Sequence, residues 1–177
     1  MIISVEQAKE FVDFKGWTDA KIERKLKAVE LAIRAYTNNN FQDRDYRRTA
    51  DIVGGSFYVE ALTPFDDGDT VQITNSKLNK GLFTIASTDD ASFTVKEAVK
   101  DEKDVLVTKV HYPEDVVDCA INLLEWEVNN RGKAGIQSET LSRHSVTYVQ
   151  QTAGNMVKGY PVSIMCALNP TYMKARF

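Results

Sequence analysis

Few residues in this 177-residue chain could do covalent or metal chemistry. His111 and His144 supply all of its imidazole, the group best suited to proton transfer near neutral pH. One falls at the end of a predicted strand and the other in a polar linker, so neither reads as a catalyst. Cys119 and Cys166 are the only thiols and form no CxxC. With two histidines they cannot make a recognisable zinc set. Both lie in apolar helical patterns, which predicts buried thiols that pack like small hydrophobes in a reducing compartment. Paired carboxylates occur at Asp66-Asp67, Asp89-Asp90 and Asp101-Glu102. Such pairs could hold a divalent cation, but the spacing fits no EF-hand loop, and all three fall in predicted turns, where Asp supports turn geometry. GxSxG, GxxxxGK[ST], GxGxxG and HExxH are all absent from the sequence, as are the nucleophile elbow, phosphate loop, dinucleotide fingerprint and zincin site they encode. The expectation is a protein that is not an enzyme and carries no cofactor or metal.

Binding chemistry is the alternative. Lys21, Arg24, Lys25 and Lys27 fall within one predicted helix, and would serve a nucleic-acid-binding regulatory module. Against that reading, the net charge is −3, from 22 Lys and Arg against 25 Asp and Glu, whereas nucleic-acid binders usually carry a basic balance. The charge is also uneven. Residues 46–112 hold eight basic and eleven acidic side chains, while the flanking stretches are each neutral. The end of the chain, Tyr172-Met173-Lys174-Ala175-Arg176-Phe177, follows a helix-breaking Pro170. Its aromatic and basic side chains are types that anchor interfaces. Tyr172, Lys174, Arg176 and Phe177 are therefore candidates for docking on a neighbour; the competing reading packs this tail on its own domain.

Three blocks of elements must position these residues. Ser4 with Gln7 makes a capping box for a helix running to about Phe14, with Ala8, Phe11 and Val12 inward. Thr18 starts a second helix, whose Ile22, Leu26, Val29, Ile33 and Tyr36 form one stripe; Asn38-Asn39-Asn40 ends it. From Tyr46 to Tyr112 the pattern alternates, with five predicted strands at 56–62, 70–74, 82–87, 92–96 and 104–110. Helical periodicity returns after Pro113, with Val117, Ala120, Ile121, Leu124 and Val128 inward and Gly132 and Gly135 ending it. A polar stretch, a short strand at 145–149 and a last helix from Tyr160-Pro161 follow. The predicted fold class is α+β: a small bundle of about four helices, residues 1–45 and 113–177, carrying an inserted small antiparallel β-barrel or sandwich, residues 46–112. The opening residues resemble no signal peptide, and no apolar run reaches the ~20 residues that span a bilayer.

Three stretches resemble a known family. They are the opening Ile3-Ser4-Val5-Glu6-Gln7-Ala8-Lys9 with the helix from Asp19 to Tyr36, the helix from Val116 to Asn130, and the run from Ile136 to Tyr148. The last is similar to an "SExxGxxSVxY" pattern, with Ser142 standing where Gly is expected. The resemblance is to the head-tail connector (head-completion, or adaptor) proteins of long-tailed bacteriophages and prophages. It implies a structural virion protein, made in the host cytoplasm, that forms a homo-oligomeric ring, usually twelve-fold, under the portal protein. Such a ring extends the DNA channel without reading sequence, docks a stopper or tail-completion protein, and needs no membrane. Ser138, Glu139, Arg143, Ser145, Val146, Thr147 and Tyr148 are the interface candidates it adds. Residues 145–148 are expected to form a hairpin or to add to a neighbouring strand, and the polar, glycine-containing segment 131–155 suits a part that orders on contact.

Overall fold

The computed structural model describes residues 1–130, 138–141, 144–147 and 154–175. The chain divides into two compact units: Asn40–Tyr112 with Met1, and Ile2–Asn39 with Pro113–Phe177.

The helical unit opens with α1, Val5–Phe11. Its capping box is complete: Gln7 N–H donates to Ser4 Oγ at 3.1 Å, and Ser4 N–H to Gln7 Oε1 at 2.9 Å. The helix stops a turn earlier than the spacing predicts, and Phe11 is exposed while Phe14 is buried. Helix α2, Asp19–Thr37, ends at Asn38 in the left-handed conformation, a terminator Asn tolerates. Ile22, Leu26, Val29 and Ile33 are fully buried along its predicted stripe.

The barrel unit follows. Its strands are β1 (Gln42–Val53), β2 (Ser56–Val59), β3 (Thr70–Thr74), β4 (Gly81–Thr88), β5 (Ser92–Val95) and β6 (Glu102–Val110). They close in the order β1-β2-β5-β4-β3-β6, with every pair antiparallel. Alternate residues point inward, as the two-residue period of a strand requires: Ala50 and Ile52 on β1, Phe57 and Val59 on β2, Val71 and Ile73 on β3, Val105 and Val107 on β6. Phe57 and Phe93, paired across β2 and β5, stack with centroids 4.6 Å apart, and Phe65 meets Phe93 edge-on at 5.3 Å. The β1–β2 hairpin turns through Gly54 and Gly55, both at positive φ (58° and 86°). A two-residue turn of that hand matches the strand twist and favours glycine.

Helix α3, Glu114–Asn130, buries Val116, Cys119, Ala120, Leu123, Leu124 and Glu127. Next come the β7–β8 hairpin (Ser138–Leu141 with His144–Thr147), the two-residue strands β9 (Met156–Val157) and β10 (Tyr160–Pro161), α4 (Val162–Met165) and a 3-10 turn at Cys166–Leu168. Met165 and Leu168 are buried, while Cys166 is exposed, contrary to its apolar pattern.

The expected small helical bundle with an inserted β-module is not the architecture. The barrel is a closed six-stranded body with a core of its own. Of the described helices, α1 has 7 residues and α4 only 4, too short to form the walls of a four-helix bundle. The difference comes largely from β1. Its 12 residues include Asp43, Arg44, Asp45, Arg47 and Arg48, a run of mixed charge with no strand alternation: Arg44 and Asp45 are exposed at a bulge between Asp43 and Arg47, whereas Arg47 and Arg48 are half-buried. The unit boundary therefore falls at Asn40 rather than near residue 46.

Candidate functional site

The resemblance stretch folds into the β7–β8 hairpin, with Ser138 opposite Thr147, Glu139 opposite Val146, Thr140 opposite Ser145, and Leu141 opposite His144. Five of the interface candidates, Ser138, Glu139, Ser145, Val146 and Thr147, are thus brought onto one two-stranded ribbon. His144, expected in a linker, begins β8. Arg143 and Tyr148 lie outside the described residues, as do Gly132 and Gly135. Among the described residues β7 and β8 pair only with each other.

The tail is placed differently from a docking peptide. Lys174 N–H donates to Thr37 O at 2.8 Å, so the tail backbone satisfies a carbonyl at the open end of α2, where the helix itself cannot. Asn38 Nδ2 donates to the carbonyls of Lys174 and Ala175, and Asn39 Nδ2 to that of Tyr172. The Tyr172 hydroxyl lies 2.6 and 2.8 Å from the two carboxylate oxygens of Asp115 in the first turn of α3. That bond to a carboxylate raises the Tyr172 pKa, with burial and the Asp115 charge adding to it. Tyr172 and Lys174 therefore tie the tail to the ends of α2 and α3 in their own unit. Arg176 and Phe177 lie outside the described residues. Asp115 and the Asn38-Asn39 pair are the functional partners that sequence reasoning missed. Asp115 reads there as a helix-start acid and the asparagines as a helix stop; a single sequence gives no sign that both also receive the tail.

The basic set on α2 is largely engaged. Lys25 Nζ is 2.9 Å from Glu127 Oε2, whose side chain is only 1% exposed. Lys27 pairs with Glu23 at 2.8 Å, and Lys21 Nζ sits 3.8 Å from the Trp17 ring centroid. Arg24 is exposed.

The acidic pairs do the work of turns. Asp67 accepts from Thr88 N–H and Oγ1, both at 2.8 Å, Asp89 accepts from Asp90 N–H, and Asp101 from Gly54 N–H. Asp66 stands 3.7 Å from Lys109 Nζ. Glu102 accepts from Ser76 Oγ at 2.6 Å, Lys77 N–H at 2.6 Å, Leu78 N–H at 3.2 Å and Asn79 Nδ2 at 2.9 Å. Led by the Ser76 hydroxyl and the Lys77 amide, these donors stabilise the charged form and hold its pKa down to about 2. Among the described residues there is no group of three His, Cys, Asp or Glu placed to hold a metal ion, and no helix long and apolar enough to cross a membrane. Burial, with the Asp115 charge adding, pushes the Cys119 thiol up to about 11, which keeps it a packing group rather than a thiolate nucleophile. His111 is exposed, and its backbone N–H closes onto Phe41 O at 2.9 Å. No family model matches the chain, and no curated protein matches it.

Proposed function

We propose that the chain is a structural assembly protein of a long-tailed phage or prophage particle, a head-tail connector that forms a ring under the portal, extends the DNA channel and docks a stopper or tail protein. The observation that carries this reading is the β7–β8 hairpin, because it falls on the stretch 136–148 that resembles the connector family. Four-residue strands in a two-stranded ribbon are marginally stable by themselves. Such a ribbon gains most from a neighbour that supplies another strand, where main-chain hydrogen bonds give affinity and side chains give specificity. No covalent step is needed for this role. Virion localisation and the portal, stopper and tail partners belong to the same proposal. The competing nucleic-acid reading is less well supported: Lys25 and Lys27 are neutralised by carboxylates and Lys21 is held on Trp17.

Electron microscopy of the purified chain mixed with a portal protein from the same genome tests the reading. Ring-shaped or portal-bound density is expected, and no association in any ratio overturns it. DNA titration separates the alternative, which requires binding that falls steeply with salt.

A further inference from the structure

Two helix faces of the helical unit complement each other in charge and point away from its core. Helix α2 carries five basic and three acidic residues, whereas α3 carries five acidic and no basic ones. On α2, Arg24, Lys27, Ala28, Leu31 and Ala35 are exposed, with Leu31 exposed to 59%. Their spacing of three and four residues puts them on one face, opposite Ile22, Leu26, Val29 and Ile33. On α3, Glu114, Asp118 and Glu125 are exposed and flanked by the half-buried Val117, Ile121 and Val128. This second apolar row lies beside the buried stripe and next to the acidic one. An exposed leucine bordered by alanines and cations on α2 thus has its counterpart, an apolar row bordered by carboxylates, on α3.

We propose that the exposed face of α2 in one copy packs against the exposed face of α3 in a second copy, with Arg24 and Lys27 facing Asp118 and Glu125 and with Leu31 seated at one end of the Val117, Ile121 and Val128 row. The proposal deepens the assembly reading and rests on it for the choice of a second copy as the occupant. Alanines at 28 and 35 allow the two helices to approach closely, and the opposed charges fix which face meets which. Two different faces of one unit make a heterologous contact, which propagates from copy to copy and closes into a ring when the rotation permits. Matching faces would instead stop at a dimer. Lys27 keeps its Glu23 partner in this arrangement, so the pair contributes mainly through Arg24 and the excess acid on α3.

Charge exchange tests this contact in the full chain. Variant one carries Arg24→Glu and Lys27→Glu, which makes both faces acidic. Variant two carries Asp118→Lys and Glu125→Lys, which makes both faces basic. Sedimentation velocity at low salt is expected to show self-association of the natural chain that weakens as salt rises. Each variant alone is expected to associate at least about tenfold more weakly, since like charges meet at the contact. An equimolar mixture is expected to regain association, with the two variants alternating, which also shows that both are folded. A natural chain that stays monomeric at low salt to its highest attainable concentration overturns the contact. So do variants that associate as tightly as the natural chain, or a mixture that fails to recover. Portal binding by a chain that remains monomeric would sink this contact while leaving the connector reading intact. Self-association through these faces without portal binding would do the reverse.

Discussion

Glu102 at the start of β6 pins the 76–79 loop through four hydrogen bonds, and its carboxyl titrates at about 2 against about 4.3 in an unfolded chain. A group whose pKa is depressed on folding adds stability that is fully present above the unfolded value and is lost as pH falls through the folded one. The barrel is therefore expected to lose stability between about pH 5 and pH 2, and Glu102→Gln should flatten that part of a melting-temperature-against-pH curve while lowering the neutral-pH plateau. An unchanged acid limb would remove Glu102 from this role. In the helical unit, Lys25→Met takes a charged partner from the buried Glu127 carboxylate and is expected to cost about 2 kcal/mol in denaturant unfolding. Neither role is legible in the sequence. Asp101-Glu102 reads as one more acidic turn, and Lys25 as one more cation on a polar face, because each partner lies far along the chain, at Ser76 to Asn79 for one and Glu127 for the other.

Element by element, legibility followed the strength of the local signal. The Ser4–Gln7 capping box, the Ile22–Ile33 stripe and the Asp89–Asp90 turn are written in adjacent residues and fold as they read. Strand β1 does not, since the charges at 43–48 hide its alternation until Ala50 and Ile52 turn inward. Helix α3 is apolar on more than one side: of the predicted stripe Val117, Ala120, Ile121, Leu124 and Val128, Ala120 and Leu124 are buried and the other three are half-buried, while Val116, Cys119, Leu123 and Glu127 complete the buried set. The hydrophobic pattern alone cannot rank two adjoining stripes; the partner element decides. The tail is the clearest case of a segment read from its composition and placed by its hydrogen bonds. Aromatic and basic residues suggest docking on a neighbour, yet Tyr172 to Ala175 satisfy Asp115, Thr37, Asn38 and Asn39. Deleting Tyr172–Phe177 is accordingly expected to lower the melting temperature of the helical unit and to speed amide exchange at the C-terminal turn of α2, leaving the barrel's exchange unchanged. Exchange in α2 that matches the intact chain would show that the tail does not hold the helix end.

At the scale of the molecule, the chain leaves one compact body at Asn40 and leaves the other at Tyr112. These crossing points are neighbours: Gln42 pairs with Val110 at the shared end of β1 and β6, His111 N–H donates to Phe41 O at 2.9 Å, and the Phe41 and Tyr112 rings lie 5.1 Å apart. A barrel whose ends meet, whose strands have no free edge and whose core is drawn from its own residues has what an autonomous domain requires. Its negative charge, from nine basic against thirteen acidic residues over 40–112, favours solubility of the isolated piece. Residues 40–112 expressed alone are therefore expected to fold, giving a dispersed amide spectrum and a cooperative thermal transition. Within that fragment, Phe93→Ala should cost about 3–5 kcal/mol, because Phe93 is 2% exposed and touches both Phe57 and Phe65. The complementary chain, with 40–112 replaced by a short glycine-serine turn, is expected to keep helices α2 and α3, because their buried residues, Ile22 to Ile33 and Val116 to Leu124, belong to their own unit. A collapsed spectrum for the barrel fragment, or loss of helical circular dichroism in the excised chain, would show that the two bodies fold only together.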